Sequence, residues 1–203
     1  ITLILLLLMP ALALGQMEAK SAGDPCAEGK DFYEGAHFTE ARNAFLRCVA
    51  LGDPDLDTLL PLTVMGISEK RLDEAQKYGR MAVDFAPNDP DARYWYGRAL
   101  LRADRVEEAR KQWETGLGLS ISHQGILEGL ARLALNEGEP AKAYQLLDQM
   151  RRQGLDEAWL HRMLADIAAS RGVWPQSLDH LKDSIRCDPT SLSDYLAASE
   201  LSL

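Results

Sequence analysis

A repeat of 34 residues, present five times without a gap, constrains this chain more than any other feature. Each unit has small residues at two positions twelve residues apart and mostly bulky residues at two others. One small position holds Ala41, Ala75, Ala109, Ala143 and Ser177, and the other, twelve residues earlier, holds Gly29, Thr63, Gly97, Ala131 and Ala165. The first of the bulky positions holds Phe38, Leu72, Val106, Pro140 and Trp174, and the second holds Phe45, Gly79, Trp113, Leu147 and Leu181. A unit of this length accommodates two helices of about 12–14 residues and two short turns. The repeat therefore predicts helical hairpins that stack, because one hairpin cannot bury its apolar face alone.

Two stretches of the third unit resemble the helix signatures of the tetratricopeptide-repeat (TPR) family. Residues 93–100 are Arg-Tyr-Trp-Tyr-Gly-Arg-Ala-Leu, residues 106–109 are Val-Glu-Glu-Ala, and residues 85–92 are similar to the family's inter-repeat turn. The resemblance covers residues 22–191 and implies an all-α fold, a right-handed superhelical solenoid of five TPR-type helical hairpins plus a C-terminal capping helix. The expected units are 22–55, 56–89, 90–123, 124–157 and 158–191, with the capping helix at 192–203.

Prolines and aspartates predict where several helices begin. Residues 89–91, Asp-Pro-Asp, offer an N-cap, a first-turn proline and an acid that complements the helix dipole. Residues 53–55 have the same sequence and predict a second helix start. Pro140 is expected to open the second helix of its unit. Pro61 fits a helix best within the first turn, which predicts that its helix begins near Thr58.

The N-terminal residues differ in character from all that follow. Residues 1–8 are almost entirely Leu and Ile, and a proline and an Ala-Leu-Ala-Leu-Gly stretch come next. This order is typical of a signal peptide, which we expect at 1–15 with cleavage after Ala13 or Gly15, followed by a short segment at 16–21. The apolar run is shorter than the roughly 20 residues of a transmembrane helix. An uncleaved membrane anchor and a buried core helix stay open as alternatives, and the expected location is the periplasm.

The three cysteines suggest one disulfide. Cys26 and Cys48 each lie eleven residues from His37, which is at the predicted turn of the first hairpin. Residues equidistant from the turn of an antiparallel hairpin lie side by side, so a Cys26–Cys48 bridge is possible in an exported chain. Two small buried thiols are the alternative. Cys187 is then a lone thiol, partly buried near the last turn.

Charge argues against one class of partner. The chain has 31 acidic and 22 basic residues, for a formal net charge of −9, and no block of Lys or Arg. Because such a chain repels phosphate backbones, we expect no nucleic-acid partner. After signal cleavage we also expect no membrane span, and the oligomeric state is left open.

Motifs that carry chemistry are not found in the sequence. Asp53, Asp55 and Asp57 alternate like the start of a calcium loop, but Thr58 replaces the turn glycine and Val64 the bidentate glutamate. The histidines lack a zinc-binding spacing and are each expected at the surface or in a turn: His37, His123, His161 and His180. No nucleophile elbow, phosphate loop or dinucleotide fingerprint occurs. We therefore expect no metal, no cofactor and no enzymatic activity.

The expected function is protein binding in a concave groove lined by the first helix of each hairpin. By the family resemblance, the groove would accept an extended peptide or a helix of a partner in the cell envelope. The side chains expected to face it are Tyr33, Val64, Ile67, Tyr94, Arg98, Leu101, Arg102, Arg132, Leu135 and Arg162. The arginines among them predict a stripe that binds carboxylates, with Glu128 and Asp166 neutralising part of it. The alternative is a structural or accessory subunit of an envelope assembly (secretion, pilus, polysaccharide export or cytochrome maturation), docked through its convex face or its ends.

Overall fold

The computed structural model describes residues 23–52 and 54–201, which form eleven α-helices and no strand. Their bounds are α1 Pro25–Glu34, α2 Phe38–Leu51, α3 Leu56–Ser68, α4 Leu72–Phe85, α5 Pro90–Arg102, α6 Val106–Leu119, α7 Gln124–Asn136, α8 Pro140–Arg152, α9 Ala158–Ser170, α10 Trp174–Cys187 and α11 Leu192–Glu200. The predicted signal peptide at 1–15 and the segment at 16–21 lie outside the described residues. No described helix is long and apolar enough to cross a membrane.

The helices reproduce the period of the sequence. Every even-numbered helix from α2 to α10 begins at one register of the repeat, and the starts are 34 residues apart. Each of these helices packs against the odd-numbered helix before it, from α1 with α2 to α9 with α10. The all-α, hairpin-based fold expected from the repeat is therefore confirmed.

The described residues divide into two compact units, with the boundary between Pro54 and Asp55. In the first, α1 and α2 form one hairpin, and Phe45 and Ala41 are fully buried. A disulfide joins Cys26 to Cys48, with 5.0 Å between the two Cα atoms. This distance lies in the range that a disulfide needs without backbone movement.

The second unit is built around the small residues of the repeat. Ala75, Ala109 and Ala143 have no exposed surface, and Ser177 has only 1%. Each lies near the start of its helix, where a larger side chain would force the two helices of the hairpin apart. The largest apolar cluster joins α7, α8 and α9 through residues such as Leu127, Leu147 and Leu164.

Most helix starts follow the sequence signals, but α3 does not. Asp89 caps α5 by accepting a hydrogen bond from the Ala92 backbone N–H at 2.8 Å, and Pro140 opens α8, both as expected. The N-cap of α3 is Asp55, so its first helical residue is Leu56. The predicted starts at residue 53 and near Thr58 are both wrong. Pro61 consequently lies in the second turn, where it supplies no backbone N–H to the helix.

The last described helix, α11, packs against α10 as a capping helix would. Asp194 is buried on its inner side. On its other side Leu192, Tyr195 and Leu196 are exposed, with 69%, 48% and 56% of their surface accessible. These three residues are spaced as neighbours on one helical face. The capping helix thus carries an open apolar face of its own.

Candidate functional site

A cavity of about 260 Å³ lies between α5 and α7. Its lining residues come from α5, α7 and one position of α6: Tyr94, Arg98, Leu101, Arg102, Trp113, Gly125, Glu128, Gly129 and Arg132. We call it the α5–α7 cavity. Five of the ten residues expected in the groove therefore line one concave site.

Glycines of α7 give the cavity its shape. A Cβ at Gly125 would lie 2.6 Å from the Tyr94 ring, and one at Gly129 would lie 2.8 Å from the Trp113 ring. Since real Cβ contacts are longer than this, only glycine allows the two aromatic rings to pack against α7 at this depth. The Trp113 indole N–H donates to the Tyr94 carbonyl at 3.1 Å, which fixes the floor of the cavity. Trp113 was expected as a packing residue, and its contribution to the floor was missed.

The walls of the cavity are positively charged. Arg98, Arg102 and Arg132 face it, and the single carboxylate is Glu128, which accepts from Arg132 at 2.8 Å. The Arg98 guanidinium lies 5.7 Å from the Tyr94 ring centre and 5.1 Å from that of Trp95, a cation–π arrangement. It also donates to the Tyr94 hydroxyl at 3.3 Å. Among the described residues, neither Arg98 nor Arg102 forms an ion pair.

Guanidinium groups held on aromatic faces keep their hydrogen-bonding edges available. Such edges match the geometry of a carboxylate, which can accept two parallel hydrogen bonds from one arginine. Leu101 supplies an apolar wall beside them. The cavity can therefore accept an acidic group together with an adjoining apolar group.

The other five predicted groove residues lie elsewhere. Ile67 is only 6% exposed and packs with Ala75 and Ala99, so its assignment to the groove is wrong. Leu135 packs against the apolar cluster of α7, α8 and α9. Val64 is half-buried on α3, outside the cavity. Tyr33 belongs to the first unit, where its ring packs against those of Phe38 and Phe45.

Arg162 is the clearest departure from the predicted stripe. It is bound to Asp166 on its own helix, at 3.1 Å, and to the buried Asp194 of α11. Asp194 also accepts from the Ser184 hydroxyl at 2.6 Å. Arg162 therefore anchors the capping helix and does not line the α5–α7 cavity, so the predicted arginine stripe does not extend to it.

Two histidines do not lie at the surface or in a turn, where the sequence predicts them. His161 is 2% exposed and His180 is 8% exposed, so neither is a surface or turn residue. They lie near Asp156, Asp183 and Cys187 on the last hairpin. By contrast, His123 caps α7 by accepting from the Ile126 backbone N–H at 3.2 Å, as a turn histidine can. The spacing of the buried pair, 19 residues apart on two helices, matches no short motif.

Comparison with known proteins agrees with this architecture. A tetratricopeptide-repeat family model matches residues 67–118. Subunit 7 of the anaphase-promoting complex of Arabidopsis thaliana is 34% identical over 83 residues, which is 41% of this chain but only 15% of that protein. PilF of Pseudomonas aeruginosa has a TM-score of 0.75 at 16% identity, over 88% of this chain and 81% of PilF. YrrB, described as a TPR protein with an unusual peptide-binding site, has a TM-score of 0.68 at 13% identity, over 86% of this chain and 90% of YrrB.

Proposed function

Because the chain belongs to the tetratricopeptide-repeat family, we propose that it binds a partner protein by holding an acidic peptide segment in the α5–α7 cavity. The observation behind the proposal is that Arg98 and Arg102 face the cavity and form no ion pair with any residue that the structure describes. Three guanidinium groups against one carboxylate leave two positive charges uncompensated in an otherwise acidic protein. A partner's Asp, Glu or C-terminal carboxylate would neutralise them, and Leu101 would contact an adjacent apolar side chain.

Site-directed photo-cross-linking in the native cell tests this proposal. A benzophenone side chain at Arg102, on the rim of the cavity, should capture a partner, and mass spectrometry of the adduct should identify an acidic segment. The matched control places the same side chain at Lys111, which is exposed on α6 outside the cavity. Equal capture from both positions, or an adduct rich in Lys and Arg, contradicts the proposal.

The second candidate is docking through the C-terminal end, and the open apolar face of α11 favours it. A cross-linker at Tyr195 provides the discriminating arm of the same experiment. Capture from Tyr195 and not from Arg102 would make the chain an accessory subunit that binds by its end. Capture of different proteins from the two positions would make it a bridge between them.

We propose further that the protein acts in the cell envelope after export. The apolar run at 1–8 supports this, and so does the Cys26–Cys48 bridge, because disulfides persist in oxidising compartments. Intact-mass measurement of exported protein should find a mature chain that begins near Leu14 or Gln16. Thiol labelling of the same sample should modify Cys187 alone. Labelling of all three cysteines, or a chain that retains the apolar run, would contradict export with cleavage.

A further inference from the structure

The last hairpin contains a buried polar cluster that the peptide-binding proposal does not use. His161 lies on α9, His180 and Asp183 lie on α10, and each offers one ligand atom within 4.8 Å of the others. One repeat earlier, the register position of His161 is held by Leu127, which is fully buried in the apolar core. Since leucine fills this position in the preceding hairpin, packing alone does not require an imidazole here. A buried polar side chain at such a position needs another explanation.

One ring nitrogen of His161 already has a partner. Its Nε2 atom lies 2.8 Å from Asp156 Oδ1. Asp156 also accepts two hydrogen bonds from Arg186. Since a carboxylate held in this way accepts, Nε2 of His161 donates, and Nδ1 is the ring nitrogen that Asp156 leaves without a partner.

His161 Nδ1 faces a second carboxylate. It is buried and has no hydrogen-bond partner among the described residues, and Asp183 Oδ2 lies 3.9 Å away. This distance is too long for a hydrogen bond. A buried ring nitrogen without a partner is unfavourable, and a cation bound between the nitrogen and the carboxylate oxygen would remove that cost.

His180 is the third member of the cluster. Its ring is 8% exposed, and its centre lies 6.2 Å from that of His161. The Tyr144 hydroxyl and His180 Nε2 are 2.8 Å apart, and this hydrogen bond fixes the orientation of the ring. Imidazole nitrogens are the commonest metal ligands in proteins.

We propose that His161 Nδ1, His180 and Asp183 bind one divalent transition-metal ion of the zinc class, with water in the remaining position. Two imidazoles and a carboxylate are a donor set that zinc accepts, at ligand distances of about 2.0–2.2 Å. Asp156 acts as the outer partner of His161, in the way that a carboxylate commonly orients a metal-binding histidine through its other nitrogen. The ion would tie α9 to α10 within the last hairpin.

The opposite side of the His161 ring is a poorer site. Asp156, His161 Nε2 and Cys187 also lie close together there. However, Arg186 already donates to both oxygens of Asp156, at 2.8 and 2.9 Å, so neither oxygen is left for a metal ion. Burial raises the pKa of the Cys187 thiol, which keeps it protonated and a weak ligand. Arg186 also lies 3.6 Å from Oδ1 of Asp183, and this contact leaves Oδ2 for the metal.

Zinc titration of the chelator-treated, tag-free protein by calorimetry tests the proposal. The expected result is one zinc ion per chain, with affinity reduced about tenfold or more by Asp183→Asn or Asp156→Asn. Asp179→Asn is the matched control, because Asp179 is an exposed carboxylate of the same helix paired with Lys182. Asp179→Asn and Cys187→Ser should both leave the affinity unchanged. Absence of zinc uptake, or full affinity after Asp183→Asn, overturns the proposal, and loss of binding on Cys187→Ser overturns this choice of ligands.

Nitrogen NMR of the histidine rings gives a test that needs no variant. Zinc should shift the Nδ1 signal of His161 and leave the proton on Nε2 in its hydrogen bond to Asp156. If both ring nitrogens of His161 keep their protons in the presence of zinc at pH 7, the ring is an imidazolium that bridges Asp156 and Asp183. The metal site would then be wrong, whatever binds in the α5–α7 cavity.

Discussion

Helices α7 and α9 carry a charged pair at the same two register positions, but in opposite order. The pair is Glu128 and Arg132 in α7, and Arg162 and Asp166 one repeat later in α9. The Arg132 side chain stays 59% exposed at the cavity. That of Arg162 is 34% exposed and bound to the buried Asp194 of α11. The same two register positions thus yield a surface cation in one hairpin and an internal anchor in the next. What decides between them is whether a following helix supplies a buried carboxylate.

The largest effect should come from reversing the charges of the arginines that line the α5–α7 cavity. Arg98→Glu combined with Arg132→Glu should weaken binding of an acidic partner segment by at least about a hundredfold. The reason is that two charge-assisted hydrogen bonds, each worth about 1.5–3 kcal/mol, are replaced by repulsion. Unfolding free energy should change by less than about 0.5 kcal/mol, because neither side chain is committed to a buried ion pair. Fluorescence anisotropy with a labelled segment and circular-dichroism melting measure the two quantities.

The control for that experiment carries the same change in net charge. Arg80 and Lys182 are exposed on α4 and α10, away from the cavity, and both are changed to Glu. This variant should bind normally. An equal loss of affinity in the control would mean that net charge, and not the α5–α7 cavity, governs binding.

Removing the ion pair between Arg162 and Asp194 should lower the free energy of unfolding and leave the affinity for the partner unchanged. Asp194→Ala removes the buried acceptor of Arg162 and of the Ser184 hydroxyl, and should cost about 2 kcal/mol. Urea unfolding should report this loss, and hydrogen exchange should show α11 opening first. Asp166→Ala, which removes only the exposed partner of Arg162, should be nearly neutral. If the two variants are equally stable, α11 is held by its apolar contacts alone.

A smaller effect of pH should follow from the same anchor. Burial acts to raise the pKa of Asp194, but hydrogen bonds from Ser184 and Arg162 outweigh it, so the pKa is lowered. A depressed folded-state pKa stabilises the protein above the unfolded value, which is about 3.9. That contribution is lost as pH falls from about 3.9 through the folded pKa. Wild-type stability should therefore fall more steeply below pH 4 than that of Asp194→Ala, and urea unfolding at a series of pH values measures the difference. If the stabilities of the two proteins fall in parallel as pH is lowered, the Asp194 carboxylate does not stabilise the folded protein.

The sequence predicted the fold because its dominant signal is periodic. The small register residue of each hairpin reports directly on packing, as buried Ala109 illustrates, and the register also brought Arg98 and Arg132 to one cavity. The fate of Arg162 could not be predicted in this way. Its partner Asp194 lies 32 residues away in the capping helix, where the repeat pattern is incomplete. Pairings between units depend on geometry that a one-dimensional register does not contain.

The buried histidines illustrate the same limit from another direction. His161 and His180 are polar residues at positions where the neighbouring repeat has Leu127 and Leu146. Aligning the repeats by apolar character would have marked both as core positions, and this signal was available. Searching for short metal motifs could not find them, since their proximity arises from the packing of α9 against α10. A repeat alignment that asks which polar residues occupy apolar registers is thus a better guide than spacing.

The smallest expected effect concerns the one acid in the α5–α7 cavity. Glu128→Gln removes the carboxylate that holds Arg132 and should tighten binding of an acidic segment about two- to threefold, the size expected for one partly exposed ion pair. Asp166→Asn is the control, because Asp166 is the carboxylate of the corresponding charged pair in α9; it should change nothing, since Arg162 remains bound to Asp194. The gain should shrink as salt rises, since exposed charges are screened. Anisotropy titrations at two salt concentrations measure both effects. If Glu128→Gln instead weakens binding, Glu128 positions Arg132 for the partner. The exposed Glu128–Arg132 pair is then a fixed part of the binding site.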